Sequence, residues 1–224
     1  MGHDIKLTAS DHFQLGGYRA DPAGTPKAAV VVIQEIFGVN HHIRAVCDRL
    51  ARDGYVAVAP SIFDRIEPNF QSGYSPDEVA VARKFVASPD WAAMLRDTQA
   101  AIDAVKDVGP VGIIGFCLGG SIAYAAATKL SGLKAAIGYY GGAIVRFADD
   151  KPNVPVQLHF GEKDAGIPLT DVEAIRAKRP DVEIHIYPDA QHGFSCDERA
   201  SYDKTSADVA WPRSMDFFAK YLKK

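Results

Sequence analysis

Three side chains able to do acyl-transfer chemistry recur in one kind of setting. Cys117 sits in Gly115-Phe116-Cys117-Leu118-Gly119-Gly120, just after the apolar run Val111–Phe116. Asp164 follows Val156–Phe160 in Gly161-Glu162-Lys163-Asp164, and His192 follows Val182–Tyr187 in Gln191-His192-Gly193-Phe194. A thiol, a carboxylate and an imidazole in that chain order can form a nucleophile, an orienting acid and a base. Glycines two residues before and two after Cys117 remove side chains that would clash in a tight strand-to-helix turn. Such a turn lifts the sulfur to a helix N-terminus, which favours thiolate, and aims the Leu118 N–H towards a developing oxyanion. A glycine-rich turn can also merely bury a cysteine, but the acid and the histidine at the next strand ends weigh towards catalysis.

The elements that must position these groups alternate along the chain. Ile5–Thr8 and His12–Leu15 read as an early hairpin, with a bulge or turn at Gly16-Gly17. Ala28–Ile33 is an unbroken apolar run, the pattern of a strand buried on both faces in a parallel sheet. Asn40 is a plausible cap for a helix to Arg52, ended by Gly54. Further strands are predicted at 55–59, 111–116, 133–139, 156–160 and 182–187, and helices at 77–86, 91–105, 118–129, 169–178 and 208–221. Alternation at this spacing predicts one α/β domain over residues 1–224, three-layered αβα with a mostly parallel central sheet, and function at the carboxyl edge of that sheet. Residues 61–90 are the least regular and read as a flap over the site.

Composition narrows the function classes. Lys+Arg 25 against Asp+Glu 28 gives a net charge of −3, with no basic excess for nucleic acid. The uncharged stretch Val108–Thr128 is interrupted by glycines and reads as strand, turn and buried helix rather than a membrane span. The first residues carry Asp4 and no apolar core, so no secretory signal is expected there. Three cysteines, none in a CxxC pair, fit a reducing compartment, and the cytoplasm is the expected location. No exposed apolar stripe demands a dimer, so a monomer is expected. No nucleic-acid or membrane partner and no cofactor are expected. His41-His42 are neighbours without a third ligand and read as surface residues at a helix start, so no metal is expected. His159 and His185 read as structural, Cys47 as packing and Cys196 as a pocket-wall residue.

Gly-Phe-Cys-Leu-Gly-Gly, Gln34-Glu35-Ile36-Phe37-Gly38, Gly138-Tyr139-Tyr140-Gly141 and His192-Gly193-Phe194 together resemble the dienelactone hydrolase (carboxymethylenebutenolidase) family, from about residue 10 to the last helix. The resemblance implies the α/β-hydrolase fold and a cysteine-dependent hydrolase of small lactones or esters. It implies Cys117 as nucleophile, His192 as base, Asp164 as orienting acid, and backbone N–H groups of Leu118 and Ile36 as an oxyanion hole. It also implies that Glu35 holds the resting thiol and takes its proton when substrate arrives. A carboxylate ending a buried strand needs a partner in any case, and a capping role or an arginine would serve. Desolvation should favour its protonated form.

Family members hold a substrate carboxylate with arginines, one from the flap and one just after the histidine. Here Cys196 stands where the second would be, and Arg83, Arg199 and Arg65 are the candidate substitutes. Phe37, Tyr74, Tyr140 and Phe194 are candidate apolar walls, or simply core. Two other function classes stay open: a thiol redox or transfer protein using Cys117, and a binding module without turnover.

Overall fold

The computed structural model describes residues 2–223. The chain begins as a hairpin of β1 (His3–Thr8) and β2 (Gln14–Ala20), whose register runs from His3 opposite Arg19 to Thr8 opposite Gln14 without a bulge. The expected second strand lay too early. The reversal is instead made near His12, whose φ is +65°, and the glycine pair lies inside β2. A Cβ on Gly17 would come within 2.9 Å of the Ala59 carbonyl. Its bare backbone thus serves a close strand approach rather than a turn.

The other strands are β3 (Ala29–Ile33), β4 (Val56–Pro60), β5 (Val111–Phe116), β6 (Leu133–Tyr139), β7 (Val156–Gly161) and β8 (Glu183–Tyr187). They form a single eight-stranded sheet in the order β1-β2-β4-β3-β5-β6-β7-β8. Pairing is antiparallel through β1, β2 and β4, then parallel from β4 to β8. Every residue of β3, β4, β5 and β7 is buried, which is why these runs show no alternation. From β3 the chain turns first to β4 on one side and later to β5 on the other. That reversal opens a crevice beyond the carboxyl ends of β3 and β5, where Glu35 and Cys117 emerge.

Helices cover both faces: α1 (His41–Arg52), α2 (Pro76–Lys84), α3 (Trp91–Asp103), α4 (Leu118–Lys129), α5 (Ile144–Phe147), α6 (Leu169–Lys178) and α7 (Lys204–Tyr221). Asn40 caps α1 by accepting the Ile43 N–H at 3.3 Å. Ile43, Val46, Cys47 and Leu50 recur on its inner face, and burying each of the larger ones is worth about 1.5–3 kcal/mol. On the same face Arg49 stacks on the Trp211 ring at 4.0 Å, and the Trp211 indole donates to Asp53 at 3.1 Å, joining α1 to α7. Helix α7 starts before the expected Asp208. Asp203 caps it by accepting the Thr205 N–H, and this polar first turn shows no apolar spacing. The four-residue α5 was not anticipated, being too short to display a period.

The segment from 61 to 90 is tied down at both ends. Ser75 and Glu78 form a reciprocal capping box on α2, with Pro76 in its first turn. Phe63, Phe70 and Phe85 make an aromatic cluster, Phe70 and Phe85 stacked at 4.0 Å. Arg65 is committed to the body: its guanidinium binds both oxygens of the buried Asp97 at 2.8 and 2.9 Å, and Asp11 at 2.9 Å. This removes Arg65 from the substrate candidates. Breaking a buried pair strands one charge, which costs about 3–5 kcal/mol. Arg65→Ala, which leaves the buried Asp97 carboxylate without its partner, is therefore expected to lower the unfolding free energy by about that amount in a urea titration. A loss below about 1 kcal/mol would contradict the clamp.

Candidate active site

The site is built on a strained turn. Cys117 has φ +56° and ψ −114°, between β5 and the first residue of α4. A β-carbon on Gly115 would lie 1.9 Å from the Gly119 carbonyl oxygen. One on Gly119 would lie 2.3 Å from the Ile33 oxygen and 2.6 Å from the Gln34 oxygen. Only glycine lets α4 press this closely on β5 and on the end of β3. The Cys117 N–H donates to the Tyr139 carbonyl at 2.9 Å, which fixes the turn against β6. As the first residue of α4, Leu118 has an N–H with no intrahelical acceptor. Leu118 and Ile36 flank Cys117 in the same cavity wall.

Asp164 follows β7 and is buried. Its Oδ1 accepts the Gly166 N–H at 2.8 Å and its Oδ2 lies 2.7 Å from His192 Nδ1. This bond holds the ring so that Nε2 faces Cys117. Further contacts fix the imidazole. The Ser201 hydroxyl donates to the His192 carbonyl at 2.7 Å, and the Tyr140 ring backs it with centroids 5.1 Å apart. Burial by itself would depress the imidazole, but the Cys117 sulfur and the Asp164 carboxylate outweigh it and push His192 up to about 10. The arrangement therefore favours the doubly protonated imidazolium form of His192 beside the Cys117 sulfur.

Glu35 is almost wholly buried, and its partners are Arg199, whose Nη1 donates to Oε1 at 2.8 Å, and Tyr74, whose hydroxyl donates to Oε2 at 3.3 Å. The thiol of Cys117 is not among its hydrogen-bond partners. The expected desolvated carboxyl on the thiol is thus replaced by a buried ion pair, the arginine alternative. Arg199 reaches in from beyond His192 because the chain turns at Gly193, with φ +79°. A Cβ there would stand 2.5 Å from Arg199 Nη1.

A cavity of about 530 Å³ opens onto Cys117 and His192, with Ile36, Phe37, Arg83 and Arg199 in its wall. A second lobe of about 430 Å³ runs from Cys117 and Leu118 towards Trp91 and Arg146. The structure thus brings Cys117, Asp164, His192, Ile36, Leu118, Phe37, Arg83 and Arg199 to one place, with Glu35 directly behind. It does not bring all the expected wall residues there. Tyr140 and Phe194 are fully buried beneath the site, packed on each other with centroids 5.5 Å apart. Tyr74 belongs to the 61–90 segment itself and turns its hydroxyl to Glu35. Cys196 is fully buried rather than a wall residue, and burial together with the Glu35 charge pushes its thiol up to about 12. His42, expected at the surface, is buried on the inner side of α1, while its neighbour His41 is exposed beside Glu198. His159 is structural, bonded to Tyr187 and Gln157. Sequence reasoning missed Lys163, Gln191 and Ser201 at the rim. Their only sequence signal is adjacency to Asp164 and His192.

The sequence profile of the dienelactone hydrolase family matches residues 15–222. A Synechocystis sp. protein named "Putative carboxymethylenebutenolidase" is 38% identical over 247 residues, covering 100% of both chains. A Pseudomonas putida carboxymethylenebutenolidase is 30% identical over 232 residues, covering 98% of this chain and 97% of that one. A Klebsiella pneumoniae crystal structure, whose protein carries the same qualifier before "Dienelactone Hydrolase", superposes with a TM-score of 0.85 at 32% identity. It covers 99% of this chain and 100% of its own. The chain belongs to the dienelactone hydrolase family and has its α/β-hydrolase fold.

The raised imidazole generates a prediction whose sign is fixed. A folded value above the ordinary one near 6.5 means the His192 contribution to stability is complete below about 6.5 and is lost as pH rises through about 10. NMR titration is expected to find the ring still doubly protonated at pH 8. In Asp164→Asn the midpoint should fall towards the ordinary value. A wild-type midpoint near 6.5 would contradict the pairing.

Proposed function

We propose that this member of the dienelactone hydrolase family cleaves small lactones or esters that carry a second, anionic group, through a thioester on Cys117. The observation that carries the reading is one cavity holding the Cys117–His192–Asp164 chain beside Arg199, a guanidinium whose only carboxylate partner among the described residues is Glu35. Dienelactone, which would give maleylacetate, is the substrate that the relatives' names suggest. A cytoplasmic setting fits three free thiols, and no described helix is long and apolar enough to cross a membrane.

The thiolate attacks the carbonyl carbon, and the oxygen takes up charge against the Leu118 and Ile36 N–H groups. Collapse forms the thioester and expels the ring oxygen, as an enolate in an enol lactone, which accepts the proton from the His192 imidazolium. Neutral His192 then removes a proton from water, and the hydroxide adds to the thioester. Collapse releases the acid and restores thiolate and imidazolium, with Asp164 holding the ring throughout. Nucleophile and leaving group thus share one proton shuttle.

Glu35 and Arg199 supply selectivity. A substrate carboxylate competes with Glu35 for Arg199, and Glu35, once released, can accept any proton still on the Cys117 thiol. A neutral ester leaves the ion pair intact. Arg83, exposed on α2 at the cavity wall, is the second cation available to the substrate.

The test is turnover of dienelactone beside neutral p-nitrophenyl acetate by wild type, Cys117→Ala and Arg199→Gln. Cys117→Ala should lose at least about 10³-fold on both, since it removes the covalent route. Arg199→Gln should raise KM for the anionic lactone about 10–100-fold, the worth of one charged hydrogen bond. Its effect on the neutral ester should be several-fold smaller. Equal losses on both substrates would remove Arg199 from recognition, and wild-type turnover by Cys117→Ala would end the thioester mechanism.

A further inference from the structure

Behind the Glu35–Arg199 pair lies a group of side chains that the proposed mechanism does not use. The Glu35 carboxylate, a ring nitrogen of His42 and Cys196 Sγ lie within 4.8 Å of one another, all three buried. They come from the end of β3, the first turn of α1 and the loop after His192. The His42 side chain is only 5% exposed. Its Nδ1 stands 3.5 Å from Asp197, while its buried Nε2 has no hydrogen-bond partner among the described residues. An unpartnered polar atom in a dry interior costs about 1–3 kcal/mol, and proteins rarely leave one without cause.

We propose that Glu35, His42 and Cys196 form a binding site for a borderline-soft divalent metal ion, zinc(II) being the best match. Thiolate, imidazole and carboxylate are the donors such an ion takes, and hard ions such as magnesium avoid the sulfur. Tetrahedral zinc at about 2.0–2.3 Å from each donor holds them roughly 3.3–3.8 Å apart. The donors, now within 4.8 Å of one another, must therefore contract by no more than about 1.5 Å, a side-chain adjustment. Binding trades the Cys196 proton, released to water, for the metal–sulfur bond. The ion takes Glu35 Oε2, where the Tyr74 bond is long at 3.3 Å, and Arg199 keeps Oε1. Three protein ligands leave the fourth position open.

An entry path exists on the side away from the nucleophile. His42, Ser195 and Asp197 line a separate cavity of about 350 Å³. Asp197 and Glu198 also lie with His42 in a second, more exposed group of donors. These carboxylates can gather a cation and pass it to the imidazole. The bound ion would hold Glu35 in place and prevent its exchange with a substrate carboxylate, so metal would inhibit turnover of anionic substrates. Only this inhibitory consequence rests on the hydrolase reading; the site itself does not.

The test uses cobalt(II) as a spectroscopic probe in the Cys117→Ala variant, which lacks the active-site thiol. We expect a single equivalent to bind with a near-ultraviolet thiolate-to-cobalt charge-transfer band that zinc(II) abolishes. The band should vanish in Cys117→Ala/Cys196→Ser. The cobalt affinity of Cys117→Ala/His42→Gln should fall by at least about tenfold. Thermal melts check that each variant folds, and if the serine variant does not, the His42→Gln variant decides. A missing band, a band that survives loss of Cys196, or an undiminished cobalt affinity in Cys117→Ala/His42→Gln overturns the proposal. Because the readout is absorbance, failure of hydrolysis would leave this result intact, and the reverse also holds.

Discussion

The constraint on which the rest depends is the backbone of Cys117, held in a conformation that L-residues rarely adopt. Holding it requires α4 to press on the end of β3, an approach closed to any residue but glycine at 115 and 119. It also requires β6 to supply the Tyr139 carbonyl as an acceptor for the Cys117 N–H. Three central strands are thereby locked to one another at their carboxyl ends. The strain of about 1–3 kcal/mol that such a residue carries is sustained by the surrounding sheet, whose central strands are wholly buried.

From that fixed point the electrostatics follow in order. A sulfur at the start of α4 meets an imidazole whose other nitrogen is bound to a carboxylate. Asp164 is itself held by the Gly166 N–H, so the ring has one orientation. A second anion, Glu35, emerges from the strand beside the elbow and cannot stay buried alone. Arg199 crosses from the loop after His192 to meet it, over the rings of Phe37 and Tyr74. The cavity wall therefore contains an arginine paired to a buried carboxylate, the feature on which the proposed preference for anionic substrates rests.

The same burial that makes Glu35 need Arg199 brings Cys196 and His42 to its far side. Cys196 lies four residues beyond His192, and Arg199 supplies the guanidinium from three residues further on. A carboxylate, a thiol and an imidazole nitrogen are thereby gathered within 4.8 Å of one another.

Much of the fold was legible in the sequence because its signals are local. The unbroken run at Ala29–Ile33, the elbow glycines and the Asn40 cap each act within a few residues, and β5, β6, α4 and α6 appear at the expected bounds. The hairpin was misread because glycine is written identically for a turn and for a close strand approach. Which of the two applies depends on Ala59, far along the chain. The sequence determined the residue types and order of Cys117, Asp164 and His192, since their strand-end settings are each encoded nearby. Tertiary structure alone decided that Arg199 answers Glu35, that Arg65 belongs to Asp97, and that His42 faces inward. Those choices join residues up to 164 positions apart. A buried charge selects its partner by reach and desolvation, and neither is written in spacing along the chain.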